Sequence, residues 1–216
     1  AGDLGGTKTL LAIFRYEDKL EKLYQQKYLS ANWPSFQAML GHFINHSPKG
    51  IPHPKHGCIA VAGRISNGST HITNLEWELN EKDICKHMHL EKIELINDFC
   101  ALIYGIPFLR SNQLVEIQST TKNAPKEGIV AILGAGTGLG MARGLITKNT
   151  VKAMPSEGGH REFAPRSEVE WKLAQWLKND LQLERLSIER IVSGNGLGHI
   201  ANWLLKLKGE NSHPLQ

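Results

Sequence analysis

Leu133-Gly134-Ala135-Gly136-Thr137-Gly138-Leu139-Gly140 follows directly on the apolar run Ile129–Leu133. The run reads as a buried strand, and a strand–loop–strand unit through Ile146 closes around the glycine turn. Glycines at alternate positions leave almost no Cβ atoms on that turn. Such a backbone can approach a polyanion closely and aim several N–H groups at it. A second glycine loop opens the chain: Gly2-Asp3-Leu4-Gly5-Gly6-Thr7-Lys8-Thr9. Two such loops fit a nucleotide phosphate chain gripped from two sides. The alternative is a pair of ordinary hairpin turns in which glycine supplies positive φ. Neither loop matches the commoner phosphate motifs. The dinucleotide fingerprint counted from Gly134 needs glycine where Leu139 stands, and a Walker loop needs glycine, not Thr7, before Lys8. Rossmann dehydrogenases and P-loop ATPases are thereby disfavoured.

Outward from the loops, Thr9–Phe14 and Lys22–Leu29 read as strands around the turn Tyr16–Lys19. With the start of the chain they predict an antiparallel meander whose first turn is Gly5-Gly6. Asn32-Trp33-Pro34-Ser35 starts a helix through Ile44, with Phe36, Met39, Leu40, Phe43 and Ile44 on one face. Cys58–Ala62 is a short strand and Gly63–Asn74 a polar, turn-rich stretch carrying Asn67-Gly68. A helix over Asn80–Met88, a strand over Ile93–Ile96 and a helix over Phe99–Tyr104 follow. Glu168–Leu181 is an amphipathic helix with Trp171 and Trp176 read as core, and Leu197–Leu207 is a helix after the turn Ser193–Gly196. A meander followed by alternating helices and apolar strands indicates an α/β sheet protein.

The 216 residues make one large domain or two small ones. Hydrophobic residues at 41% against 21% charged support a packed core and argue against general disorder. The net charge of +4 is spread without a basic block, so a nucleic-acid partner is not expected. No apolar run approaches a membrane span and no signal peptide is visible, which points to a cytoplasmic protein without a membrane partner. Cys58, Cys85 and Cys100 have no zinc spacing and read as buried, reduced thiols. The histidine pairs His53/His56 and His87/His89 read as solvent-facing. The chain lacks an initial methionine and stops just after a helix, so a C-terminally truncated chain is expected.

Chemistry-bearing residues fall into three places. Asp98, after Asn97, stands where a strand runs into a helix; this is the ligand edge of an open α/β sheet and also a common N-cap position. Glu157 and His160 flank Gly158-Gly159, where both side chains could bond a polyhydroxyl ligand or simply face solvent in a surface loop. Glu189 precedes the Ser193–Gly196 turn and is either a third acceptor or a surface glutamate.

Taken in order, six segments resemble the bacterial-type glucokinases of the sugar-kinase/actin/heat-shock-ATPase superfamily, in the group without a zinc motif. They are Gly2–Thr7, Thr73-Asn74-Leu75-Glu76-Trp77, Ile96-Asn97-Asp98-Phe99, Gly134–Gly140, Glu157–His160 with Phe163-Ala164-Pro165, and Glu189–Gly194. The resemblance implies a two-lobed, ribonuclease-H-like α/β fold with its second lobe incomplete. A small lobe over residues 1–108 carries the first phosphate loop and the catalytic aspartate. A partial large lobe over 109–216 carries the second phosphate loop and the sugar-binding Glu and His. The implied activity is ATP-dependent phosphorylation of glucose at its 6-hydroxyl, with the lobes closing on the sugar. Asp98 is then the general base. Asn97, Asp98, Glu157, His160 and Glu189 bind the sugar. Asp3 holds Mg²⁺ through water, Gly5, Gly6 and Thr7 form the first phosphate loop, and Gly136, Thr137 and Gly138 form the second. The same resemblance implies glucose and ATP as partners and a homodimer. Lys8 departs from the asparagine of many relatives, and the family's chain continues past this one into the adenosine pocket. A non-catalytic sugar-binding remnant and a kinase for another hexose are the competing expectations.

Overall fold

β1 (Gly2–Leu4), β2 (Lys8–Tyr16) and β3 (Leu20–Leu29) form the expected antiparallel meander, with Gly5–Thr7 as its first turn. The computed structural model describes residues 1–118 and 127–209; the tail Asn211–Gln216 lies outside them. The meander is followed by α1 (Phe36–Asn45), capped by Ser35, whose hydroxyl accepts the Ala38 N–H at 3.1 Å. Phe36, Met39, Leu40 and Phe43 are buried, as the helical spacing requires. β4 (His56–Val61) then pairs parallel to β1.

The stretch read as a polar loop contains half of a further hairpin, β5 (Ser69–Ile72) with β6 (Trp77–Asn80). Asn67 and Gly68 are both left-handed, at φ +50° and +70°, and make the tight turn that opens it. Ser66 and Ser69 exchange backbone hydrogen bonds of 2.9 and 3.0 Å across that turn. Asn80 caps α2 (Glu81–Met88), accepting the Lys82 and Asp83 N–H groups. β7 (Lys92–Asn97) pairs parallel to β4 and passes without a loop into α3 (Asp98–Gly105). The sheet order is β3-β2-β1-β4-β7. In register Asp3 faces Ala60, and Ala60 faces Ile96. The carboxyl ends of the three parallel strands therefore lie along one edge, and Asp3 and Asp98 are brought to it.

The chain divides into two compact units, Ala1–Ala101 and one starting at Leu102, so the break falls inside α3. The sequence reading set it at Phe108. In the second unit β8 (Gly128–Ala135), β9 (Leu139–Ile146) and β10 (Val151–Ser156) form an antiparallel sheet of order β10-β9-β8. β10 was not legible as a strand because Pro155 interrupts it, a residue tolerated at a sheet edge. β8 corrects the reading of Ile129–Leu133 as buried: Ile129 is 81% exposed and Leu133 65%, so one face of the run is open. α4 (Glu168–Asp180) is capped by Ser167 and buries Leu173, Ala174 and Leu177. These pack with Leu186 and with Trp203 of α5 (Gly194–Leu207). Trp171 is exposed, contrary to its reading as core; Trp176 is half-buried with the Lys206 ammonium over its ring. α5 begins within the expected turn, because the Ser193 hydroxyl accepts the Gly196 N–H at 3.0 Å and caps the helix there.

Of the cysteines, Cys100 is buried, Cys85 half-buried and Cys58 exposed, so the buried reading fails at Cys58. No helix among the described residues is long and apolar enough to cross a membrane. Replacing fully buried Phe36 by alanine is expected to destabilise the first unit by about 3–5 kcal/mol, and Leu177→Ala the second by about 2–5 kcal/mol. Urea unfolding followed by circular dichroism checks this, and unshifted midpoints would deny these helix faces their place in the core.

Candidate functional site

In the first unit the chemistry gathers at the β7–α3 junction. The Asn97 side-chain oxygen accepts the Cys100 N–H at 3.1 Å, so Asn97 rather than Asp98 caps the first turn of α3. The Asn97 amide donates to Asp98 Oδ1 at 3.0 Å and to the Gly63 carbonyl at 3.3 Å. The Phe99 N–H donates to the same Oδ1 at 2.9 Å. With the cap supplied by its neighbour, Asp98 is held through one oxygen. Burial pushes its carboxyl above the usual carboxylate range; the Phe99 and Asn97 hydrogen bonds oppose that rise and the charge of Asp3 adds to it.

The first glycine loop is clamped from the end of β3. The Ser30 hydroxyl donates to the Gly5 carbonyl at 2.8 Å, and its N–H to the Thr7 carbonyl at 3.0 Å. Ser30 is fully buried and also bonds the Thr9 hydroxyl at 2.9 Å. The Gly5 N–H is committed to the Lys8 carbonyl at 3.1 Å, which leaves those of Gly6 and Thr7 outside the turn's own bonding. Nothing in the sequence near the loop announces Ser30, because the contact is made through a strand pairing. Asp3 is exposed at the same sheet edge. Mg²⁺ takes one or two carboxylates together with substrate phosphates and waters, and an exposed aspartate beside a glycine loop suits that donor set. The charge of Asp3 acting on Asp98 is of the sign that a cation relieves.

In the second unit the structure brings the other candidates together. Gly136–Gly138 joins β8 to β9 in a three-residue turn, closed by a 2.9 Å bond from the Gly136 N–H to the Gly138 carbonyl. The Gly194 N–H donates to the Gly136 carbonyl at 2.7 Å. Glu189 lies on a single 3-10 turn, Ile188–Arg190, and its Oε2 accepts the Leu139 N–H at 2.9 Å. His160 sits between two carboxylates: Nε2 is 3.6 Å from Glu157 Oε2 and Nδ1 is 3.8 Å from Glu189 Oε1. Both separations are too long for a hydrogen bond, so these groups do not satisfy one another. Three polar side chains with capacity to spare, beside a glycine turn, can take the donors and acceptors of a polyhydroxyl ligand. A Cβ on Gly138 would collide with the Glu189 carboxylate, and one on Gly159 with the Leu139 carbonyl. Among the described residues no group of three or more His, Cys, Asp or Glu could hold a metal ion.

The glucokinase family model matches residues 1–216. The chain belongs to the glucokinase family. It is 38% identical over 217 residues to a glucokinase of Nostoc sp., covering 99% of this chain and 62% of that protein. The crystal structure of a glucokinase from an Antarctic psychrotroph superposes with a TM-score of 0.78 at 30% identity, covering 98% of this chain and 65% of that one. A ROK-family glucokinase from Streptomyces griseus, solved with glucose and AMPPNP, shares the fold alone: TM-score 0.53, 18% identity, 96% of this chain and 61% of that one. The chain thus spans about three fifths of the length of such relatives. The α/β fold is that of the family's sugar kinases.

A raised carboxyl pKa has a definite sign in stability. The ionised form is disfavoured by folding, so the penalty is present above the folded pKa and is relieved as pH falls through it. Asp98→Asn, uncharged and of the same shape, is therefore expected to melt higher than wild type at pH 7, with the gap closing as the wild-type carboxyl protonates. Thermal melts of both proteins across the acid range check this; a lower-melting variant at pH 7 would contradict it.

Proposed function

We propose that this chain carries the machinery for ATP-dependent phosphorylation of glucose at the 6-hydroxyl, giving glucose 6-phosphate and ADP. The observation that carries the reading is Asp98. It is a half-buried carboxylate at a strand-to-helix junction, fixed through one oxygen and raised toward the pH at which a general base works best.

Asp98 takes the proton of the 6-hydroxyl as that oxygen bonds to the γ-phosphorus. The bond from γ-phosphorus to the bridging oxygen breaks, and ADP leaves. Asn97, Glu157, His160 and Glu189 bond the remaining sugar hydroxyls. A site built to pair each hydroxyl rejects a sugar that lacks one, because its own polar groups are then left unpaired. In this reading the N–H groups of Gly6 and Thr7 in the first unit, and those of Thr137 and Gly138 in the second, take phosphoryl oxygens. Phosphoryl transfer depends on positioning and charge stabilisation more than on covalent chemistry, which suits two main-chain loops. Asp3 would hold Mg²⁺ through water, and that ion supplies charge neutralisation on the transferring group.

The test is ADP formation by this 216-residue chain with ATP, Mg²⁺ and glucose. Glucose-dependent turnover is expected, falling about 10²- to 10⁴-fold in Asp98→Asn while glucose affinity changes less. Glu157→Gln is expected to raise the glucose KM. Mannose, fructose and N-acetylglucosamine as acceptors decide the sugar. Binding of glucose without turnover would replace the kinase reading by a sugar-binding one, and unaltered turnover in Asp98→Asn would remove the base from Asp98.

A further inference from the structure

We infer that Glu189 also positions the second glycine loop, so that an occupant of the sugar subsite sets the conformation of Gly136–Gly138. This rests on the sugar-binding reading above and adds a route by which the two ligands sense each other within the second unit.

The two oxygens of Glu189 face different partners. Oε2 is engaged by the Leu139 N–H, the first residue of β9 after the loop, 50 residues away in sequence. Oε1 faces His160 at 3.8 Å, too long for a direct hydrogen bond, so it keeps acceptor capacity for a hydroxyl seated beside the pair. The carboxylate is 28% exposed, against 67% for Glu157 and 58% for His160, so it is the best shielded of the three side chains. It lies where a Gly138 Cβ would be, in direct contact with the loop backbone.

The other end of the loop is tied to the same segment. The Gly194 N–H holds the Gly136 carbonyl, only five residues after Glu189. Ser193 caps α5 between them, so the segment is itself fixed. One short stretch thus grips both ends of a three-residue turn, by a side chain at Leu139 and by the main chain at Gly136. The Gly158–His160 turn packs its Gly159 backbone on the Leu139 carbonyl, so the other sugar-facing residues rest on the same point. A sugar hydroxyl donating to Oε1 fixes the carboxylate and tightens the bond from Leu139 to Oε2. By linkage, a phosphoryl group that prefers the tightened loop raises sugar affinity by the same factor. The ion-pair partner of Glu157 is His160, not the loop, and Glu157 stands outside this route.

Hydrogen exchange of the 216-residue chain, read at the Gly138, Leu139 and Gly140 amides with and without saturating glucose, tests this. Calorimetry on each protein establishes saturation. In wild type and in Glu157→Gln, bound glucose is expected to slow exchange at Leu139 by about fivefold or more, the lower end of ordinary coupling between sites. In Glu189→Gln the Leu139 amide exchanges faster without sugar, and saturating glucose no longer slows it. Gly138→Ala displaces the same carboxylate from the loop side and is expected to lose the response equally; it carries the test if circular dichroism shows Glu189→Gln to be unfolded. Glucose binding to wild type with Leu139 exchange unchanged overturns this inference alone, as does an undiminished response in the folded variants. No glucose binding to wild type overturns the sugar-binding reading and this inference with it.

Discussion

In the second unit, Gly138 and Gly159 have no room for a Cβ. In one case the space is filled by a carboxylate, in the other by a main-chain carbonyl. The half-site there is backbone packed on backbone, with Glu189 filling the gap between the glycine turn and the 3-10 turn that bears it. This constraint explains why the glycines cluster beside the acids and the histidine. A polar side chain reaches a ligand in such a place only if the main chain around it stays thin. It also explains how a weak local structure is held. A three-residue turn has little intrinsic stability, and this one is fixed by single hydrogen bonds from segments about 50 residues away.

The first unit meets a similar need differently. Its glycine loop is clamped by Ser30, a buried serine on the strand side, and not by an acid. Asp98 owes its setting to the passage from β7 into α3 without an intervening residue. Asn97 provides the cap by taking the Cys100 N–H, and the aspartate takes the Phe99 N–H through one oxygen. Both acids accept a main-chain N–H through one oxygen, but their settings differ. Glu189 is engaged by the backbone around it, whereas Asp98 is kept at some cost in a place that disfavours its charge.

The parts legible in the sequence were those with a long period or a local chemical signature. The meander, the apolar face of α1 and the glycine turns were of this kind, as was the strand-to-helix junction at Asp98. β5 and β6 escaped because four-residue strands are too short to show alternation, and β10 because Pro155 counts against a strand. Ile129–Leu133 was misjudged for a different reason. A continuous apolar run is compatible with burial on both faces, and the sequence carries no mark of which face is covered. Of the candidate residues, Asn97 and Asp98 in the first unit and Glu157, His160 and Glu189 in the second could be singled out from residue type and neighbours. The clamp by Ser30 and the hold of Glu189 on Leu139 could not, since both are contacts across long stretches of chain.

The open face of β8 bears on how the chain behaves in solution. Ile129 to Ala135 carries no charge and no proline, is rich in branched residues, and among the described residues pairs with β9 alone. An apolar ribbon with a free row of N–H and C=O groups is a template for any extended chain it meets. Folding of this polypeptide therefore competes with strand-to-strand growth, a process of higher order in concentration. Dilution favours the folded chain, whereas crowding or partial unfolding of the second unit favours the aggregate.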